Sequence, residues 1–174
     1  MVMGSRALRS IANDGFNGLI GPASIDLTLQ DKLAIPYVPR GHVVTLGEHL
    51  TYREVHYSIR HPYILLPGEF VLGATQEKVD LPKDVCGFVQ GRSSIGRIGL
   101  TVQNAGFIDP GFKGTITLEL VNESRYPIAL IPGYRVVQIV LLDVRDNEIG
   151  YEGKYNGQYR PTGSRMYLDK EAFR

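Results

Sequence analysis

A chain of 174 residues is long enough for one hydrophobic core and short for two. Its 19 Lys and Arg against 18 Asp and Glu leave a formal charge of +1, and 43% of its residues are apolar. Both figures argue against disorder and against a surface built to coat DNA or RNA. The single cysteine, Cys86, excludes an internal disulfide and a thiolate zinc cage, and no apolar run reaches the ~18 residues of a membrane span. The residues Met1 to Arg6 lack the apolar centre of a signal peptide, so the expected location is the cytoplasm.

The first predicted element is a short helix. Ser5 stands where a cap is expected, Leu8, Ile11 and Ala12 recur on one side, and Asn13-Asp14-Gly15 supplies a stop. From Ser24 onward the signals are those of strands. Ile25, Leu27 and Leu29 alternate with Asp26 and Thr28. Phe70 to Thr75 follows the turn Leu66-Pro67-Gly68-Glu69, and Val85 to Val89 follows Leu81-Pro82-Lys83-Asp84. Thr115 to Val121 comes next, and Arg135 to Val144 follows Ile131-Pro132-Gly133. Strands about ten residues apart with such turns between them predict one all-β domain over residues 1–174, a sandwich, barrel or jelly roll. The stretch from Gly41 to Pro62 holds all four histidines and reads as peripheral strands and loops. Residues 150–174 are rich in Gly, Tyr, Lys and Arg and poor in aliphatics, a tail expected to order over a ligand or a neighbouring subunit.

Four constellations can carry chemistry. Gly91-Arg92-Ser93-Ser94-Ile95-Gly96-Arg97 combines two arginines, two hydroxyls and permissive glycines, a donor set suited to phosphate oxygens; a polar turn with solvated arginines is the plainer reading. In Gly106-Phe107-Ile108-Asp109-Pro110-Gly111, Asp109 either caps the turn or accepts a hydrogen bond from a sugar hydroxyl or a water. Alternation through Thr115-Ile116-Thr117-Leu118-Glu119-Leu120 sets Ile116, Leu118 and Leu120 on one face and Thr115, Thr117 and Glu119 on the other. Glu119 is there either a solvated surface group or a general base in a partly dry cleft. In the tail, Tyr151, Lys154, Tyr155, Gln158 and the run Arg160 to Arg165 suit a lid over a base and phosphates, or an untidy terminus. His42, His49, His56 and His61 show no metal spacing.

In this order the segments resemble the dCTP deaminase branch of the dUTPase-like superfamily. The match is carried by Pro22-Ala23-Ser24-Ile25-Asp26-Leu27, by the Leu66 to Phe70 and Gly91 to Arg97 motifs, by Ala105 to Asn122 and Gln138, and by Lys154-Tyr155, Gln158 and Ser164-Arg165. It is weakest from about Asp31 to Pro62. The resemblance implies a distorted jelly roll or β-barrel and a homotrimer with active sites at subunit interfaces. It also implies dCTP and dUTP as substrates, with Mg²⁺ bound through the triphosphate. Arg92, Ser93, Ser94 and Arg97 would contact phosphates from an element that includes Ile95 and Gly96. Asp109 would hold the deoxyribose 3′-hydroxyl, and Thr117 and Leu118 would line the pyrimidine pocket beside Gln138. Tyr151, Lys154 and Gln158 would close over the triphosphate.

The activity so implied is hydrolytic deamination of dCTP without zinc. Glu119 would take a proton from water and pass it to N3 of cytosine, the Ala105 carbonyl and Ser93 hydroxyl would hold that water, and Arg97 would offset charge. Simple deaminases of this branch tend to carry a His-Arg pair where this chain has Gly106-Phe107. That place resembles the bifunctional enzymes that go on to dUMP and pyrophosphate. Plain dUTPases share the Gly-Arg-Ser-Ser element, but their glycine-rich C-terminal arm is missing here. A non-catalytic nucleotide-binding module would not need Glu119, and an unrelated sugar-binding jelly roll would not need the tail motif.

Overall fold

The computed structural model describes residues 1–12, 20–103 and 106–169. A helix of about two turns, α1 (Ser5–Ile11), precedes a succession of strands: β1 (Ile25–Thr28), β2 (Lys32–Tyr37), β3 (Thr51–His56), β4 (Tyr63–Leu65), β5 (Phe70–Ala74), β6 (Val79–Asp80) and β7 (Val85–Gly91). A four-residue helix, α2 (Ser93–Gly96), leads to β8 (Leu100–Gln103), β9 (Phe107–Ile108), β10 (Lys113–Gly114), β11 (Thr117–Asn122), β12 (Ile128–Leu130) and β13 (Arg135–Asp143). The described chain ends in one 3₁₀ turn at Met166–Leu168.

All strand pairs are antiparallel. A five-stranded sheet has the order β3-β2-β5-β11-β8, a four-stranded sheet the order β1-β13-β7-β9, and two short ribbons pair β10 with β6 and β12 with β4. The sheets stay open and share one core, a jelly-roll-like arrangement rather than a closed barrel. Period-two burial builds that core: Leu118 and Leu120 of β11 and Val137, Ile139 and Leu141 of β13 are at most 1% exposed. Each such side chain contributes about 1.5–3 kcal/mol. Leu8 anchors α1 to the same cluster.

The five expected strands all form, as do the two Pro-Gly turns, closed by Glu69 N–H to the Leu66 carbonyl at 3.0 Å and Tyr134 N–H to the Ile131 carbonyl at 3.3 Å. Gly41 to Pro62 is peripheral as expected, with β3 at a sheet edge. Two details differ. Gly4, not Ser5, occupies the N-cap position of α1, and no side chain caps it. Thr115 is not on the outer face; it is buried, because the tail folds across it before β11 begins. The expected stop at Asn13-Asp14-Gly15 lies outside the described residues.

β2 passes between β3 and β5 although it contains Pro36. Its ladder to β5 is confined to Ala34 opposite Leu72, so the proline sits where that ladder has ended. No helix among the described residues is long and apolar enough to cross a membrane.

Candidate active site

The register of β11 decides where its carboxylate goes. Leu118 and Leu120 take the core face, which turns Thr117 and Glu119, both half-buried, to the opposite face of the five-stranded sheet. There they line a cleft of about 360 Å³. The turn between β9 and β10 brings in Asp109; its backbone closes the turn, Phe112 N–H to the Asp109 carbonyl at 3.2 Å, while its side chain lines the cleft instead of capping. Phe107 lines the cleft as well and packs edge-on against Phe88, with ring centroids 5.2 Å apart. Gly106 accepts the Val89 N–H at 2.8 Å.

The tail forms the roof. Tyr151 donates its N–H to the Pro110 carbonyl at 2.7 Å and lays its ring on Phe112, 5.8 Å between centroids. Gly157 N–H reaches the Lys113 carbonyl at 2.7 Å, and Gln158 pairs with Thr115 three times: Thr115 N–H to the Gln158 carbonyl and Gln158 Nε2 to the Thr115 carbonyl, both 2.8 Å, and the Thr115 hydroxyl to the Gln158 carbonyl at 3.4 Å. Gly114 permits this approach. Its φ of +144° is one that side chains rarely adopt, and a Cβ there would lie 2.6 Å from the Gln158 carbonyl oxygen. Gln158 Oε1 is buried with no hydrogen-bond partner among the described residues. Further on, Thr162, Gly163 and Ser164 also line the cleft.

A second cleft, about 490 Å³, is lined by Asp26, Arg92, Ser93, Ser94, Arg97 and Gln138. Asp26 organises it. Its Oδ2 accepts from Arg92 Nε at 3.2 Å and from an Arg135 terminal nitrogen at 3.1 Å, and the pairs are shielded, since the Asp26 side chain is 17% exposed. Arg97 donates to the Ser93 hydroxyl at 3.2 Å, and Gln138 accepts the Ser24 hydroxyl at 3.0 Å. The surplus of cations over one carboxylate suits an anionic ligand.

The expected site residues therefore divide. Glu119, Asp109, Thr117, Phe107, Tyr151 and Gln158 share the first cleft; Arg92, Ser93, Ser94, Arg97 and Gln138 share the second; no described residue lines both. Leu118 and Ile95, 1% and 5% exposed, belong to the core, because alternation and the α2 turn point them inward; any part they play is through the backbone. Gly96 is exposed and lines neither cleft, and Lys154 is paired with Asp169 within the tail. Ala105 and its neighbour Asn104 lie outside the described residues. Asp26 and Tyr52 are the additions: Asp26 was visible only as part of a motif, and Tyr52 lies in the edge strand β3.

Among the described residues no three His, Cys, Asp or Glu side chains converge to hold a metal ion. His42 pairs with Glu48 at 2.7 Å and His56 with Glu54 at 3.1 Å, while His49 stands edge-on to Tyr167. Burial pushes the Cys86 thiol upward, away from the thiolate a nucleophile needs.

A family model described as dCTP deaminase-like matches residues 5–144. A dCTP deaminase, dUMP-forming, from Sulfurihydrogenibium sp. is 36% identical over 98% of this chain and 100% of its own length. Another of that name, from Coprothermobacter proteolyticus, is 40% identical over 86% of this chain and 84% of its own. The crystal structure of 2′-deoxycytidine 5′-triphosphate deaminase from Agrobacterium tumefaciens shares the fold, with a TM-score of 0.64 at 23% identity. That alignment covers 83% of this chain and 49% of that one, so the present chain spans about half its length.

Proposed function

Because the chain belongs to the dCTP deaminase-like family, we propose that it deaminates dCTP by hydrolysis and carries the product on to dUMP and pyrophosphate. The observation that carries the reading is Glu119, half-buried under the tail in a cleft that also presents Thr117 and Asp109.

In the first step Glu119 takes a proton from water as the oxygen bonds to C4 of cytosine, and passes that proton to N3. A second proton transfer to the exocyclic nitrogen lets the C4–N bond break, releasing ammonia and leaving a uracil carbonyl. Ser93 and the Ala105 carbonyl hold the attacking water, and Arg97 offsets the developing charge. Asp109 accepts the deoxyribose 3′-hydroxyl, and Thr117 meets the pyrimidine. Arg92, Ser93, Ser94 and Arg97 bind the phosphates. A second water then attacks the α-phosphorus in line with departing pyrophosphate. Gly106 and Phe107 leave room there for it.

Mg²⁺ completes the proposal. The second cleft offers it one carboxylate, already engaged by two arginines, one amide oxygen, on Gln138, already accepting from Ser24, and otherwise cations and hydroxyls, which suits a cation carried on triphosphate oxygens. When bound it would neutralise charge on the leaving pyrophosphate. The proposal also includes a cytoplasmic homotrimer, since the carboxylate and the phosphate donors occupy separate clefts of one copy. Val43, Leu46, Ile59 and Ile149, 74–84% exposed, offer apolar surface that association would cover.

The test is a time course of purified protein with dCTP and Mg²⁺, resolving ammonia, dUTP, dUMP and pyrophosphate. Ammonia, dUMP and pyrophosphate in step, without free dUTP, are expected. Stoichiometric dUTP would reduce the activity to simple deamination, and absence of ammonia would remove the reading.

A further inference from the structure

The tail is held over the Glu119 cleft by side chains far from it in sequence. β3 is the edge strand of the five-stranded sheet, and Tyr52 and Glu54, two residues apart, share one of its faces. Tyr52 lines the cleft, and its hydroxyl accepts the Ser164 N–H at 3.0 Å. Glu54 Oε2 faces an Arg160 terminal nitrogen at 3.6 Å. Between these anchors, Thr162 donates its N–H to the Thr117 hydroxyl at 3.2 Å. Gly163 lies flat on the Tyr52 ring: a Cβ there would stand 2.2 Å from Cε2 and 2.5 Å from Cδ2. An added methyl is accommodated only if the ring swings aside, and the swing removes the hydroxyl from Ser164. The Tyr52 end of the contact falls in the stretch where the family resemblance is weakest, and the Ser164 end in a segment that carries it.

We propose that Tyr52 is a positioning residue for the reaction: with Gly163 it forms a latch that sets residues 160–164 as a closed roof over the nucleotide. It touches no reacting atom and acts through the tail. Glu54 is a secondary anchor, its exposed pair with Arg160 contributing little by itself. The catalytic consequence rests on the function proposed above; the latch itself does not.

Two measurements separate these. Trypsin cuts at Lys154 and Arg165, the Arg160–Pro161 bond being resistant, report whether the tail is pinned, with no substrate present. Tyr52→Phe removes one hydrogen bond, worth roughly 1 kcal/mol, so the tail of the intact protein should be cut about fivefold faster. Gly163→Ala should speed cutting further, and Tyr52→Phe in the Gly163→Ala background should add little, because the hydroxyl has already been displaced. The variants should raise KM for dCTP several-fold with kcat within about twofold, since neither alters Glu119 or the phosphate donors. Their unfolding midpoints should fall by only a few degrees, since about 1 kcal/mol corresponds to ~2–4 °C for a chain of this size. Cutting rates unchanged in both single variants would overturn the latch. A latch that holds in proteolysis, in a protein that releases no ammonia from dCTP, would leave the latch standing and remove the catalytic reading. Faster cutting with KM unchanged would show that the latch does not position the roof for substrate.

Discussion

Glu119→Gln keeps the size and hydrogen-bonding capacity of the side chain and removes its basicity. The proposed mechanism therefore predicts a loss of 10²-fold or more in kcat for ammonia release, in line with the ~10²–10⁴-fold typical of general acid–base catalysis, with dCTP binding retained. Turnover within about tenfold of the parent would take the role from Glu119. A second residue-scale expectation concerns Tyr63, whose hydroxyl donates to Glu69, the carboxylate that also accepts the Leu66 N–H at 2.8 Å. Burial first, and then the hydrogen bond to Glu69 and the charge of that carboxylate, push the Tyr63 phenol up to about 12. A raised phenol means that the fold favours the neutral form. Its contribution is complete below the ordinary tyrosine pKa near 10 and lost as pH climbs from there through about 12. Urea midpoints taken from pH 9 to 12 should fall more steeply for the parent than for Tyr63→Phe. Parallel curves would show that the Tyr63–Glu69 contact carries no pH dependence.

At the scale of elements, the tail behaves as an appended strap rather than as part of the core. Its backbone-to-backbone bonds to the rest of the fold run to residues 110–115, and among its described side chains Tyr151 is the one that packs against the core cluster. Truncation before Gly150 should leave a folded, associated protein, with a thermal midpoint lowered by a few degrees and dCTP binding weakened at least tenfold, because Tyr151, Gln158 and the roof are gone. Loss of assembly in sedimentation would assign the tail a structural role instead.

The same scale explains what could be read in advance. β1 and β11 were legible because alternation runs through them, and β5, β7 and β13 because each is an apolar run that follows a proline-containing turn. β6, β9 and β10, two residues each, and β4 and β12, three each, are too short for a period to register. β2 hid behind Pro36, whose missing N–H matters only if the neighbour to β5 continues past it. Motif order pointed to Glu119, Thr117 and Asp109, which share a cleft, but not to whether a residue offers its side chain; alternation and burial turn Leu118 and Ile95 inward. The Tyr52–Ser164 contact bridges 112 residues and has no local signal at either end.

For the whole molecule, the separation of the two clefts has a stoichiometric consequence. If each working centre takes its carboxylate from one copy and its phosphate donors from the next, two dead proteins can repair one another. Glu119→Gln still carries Arg92, and Arg92→Ala still carries Glu119. Co-expressed in equal amounts and purified as one pool, they should place intact halves together at about one centre in four, the random expectation for heterologous contacts in a ring. Ammonia release should then recover to about a quarter of the parent rate, from parents that each give essentially none. A double variant carrying both substitutions on one chain, mixed with unaltered protein, should also leave about a quarter of the centres intact, since a working centre then needs two unaltered neighbours. Were each centre instead built within a single copy, the first mixture would stay inactive and the second would keep about half its rate.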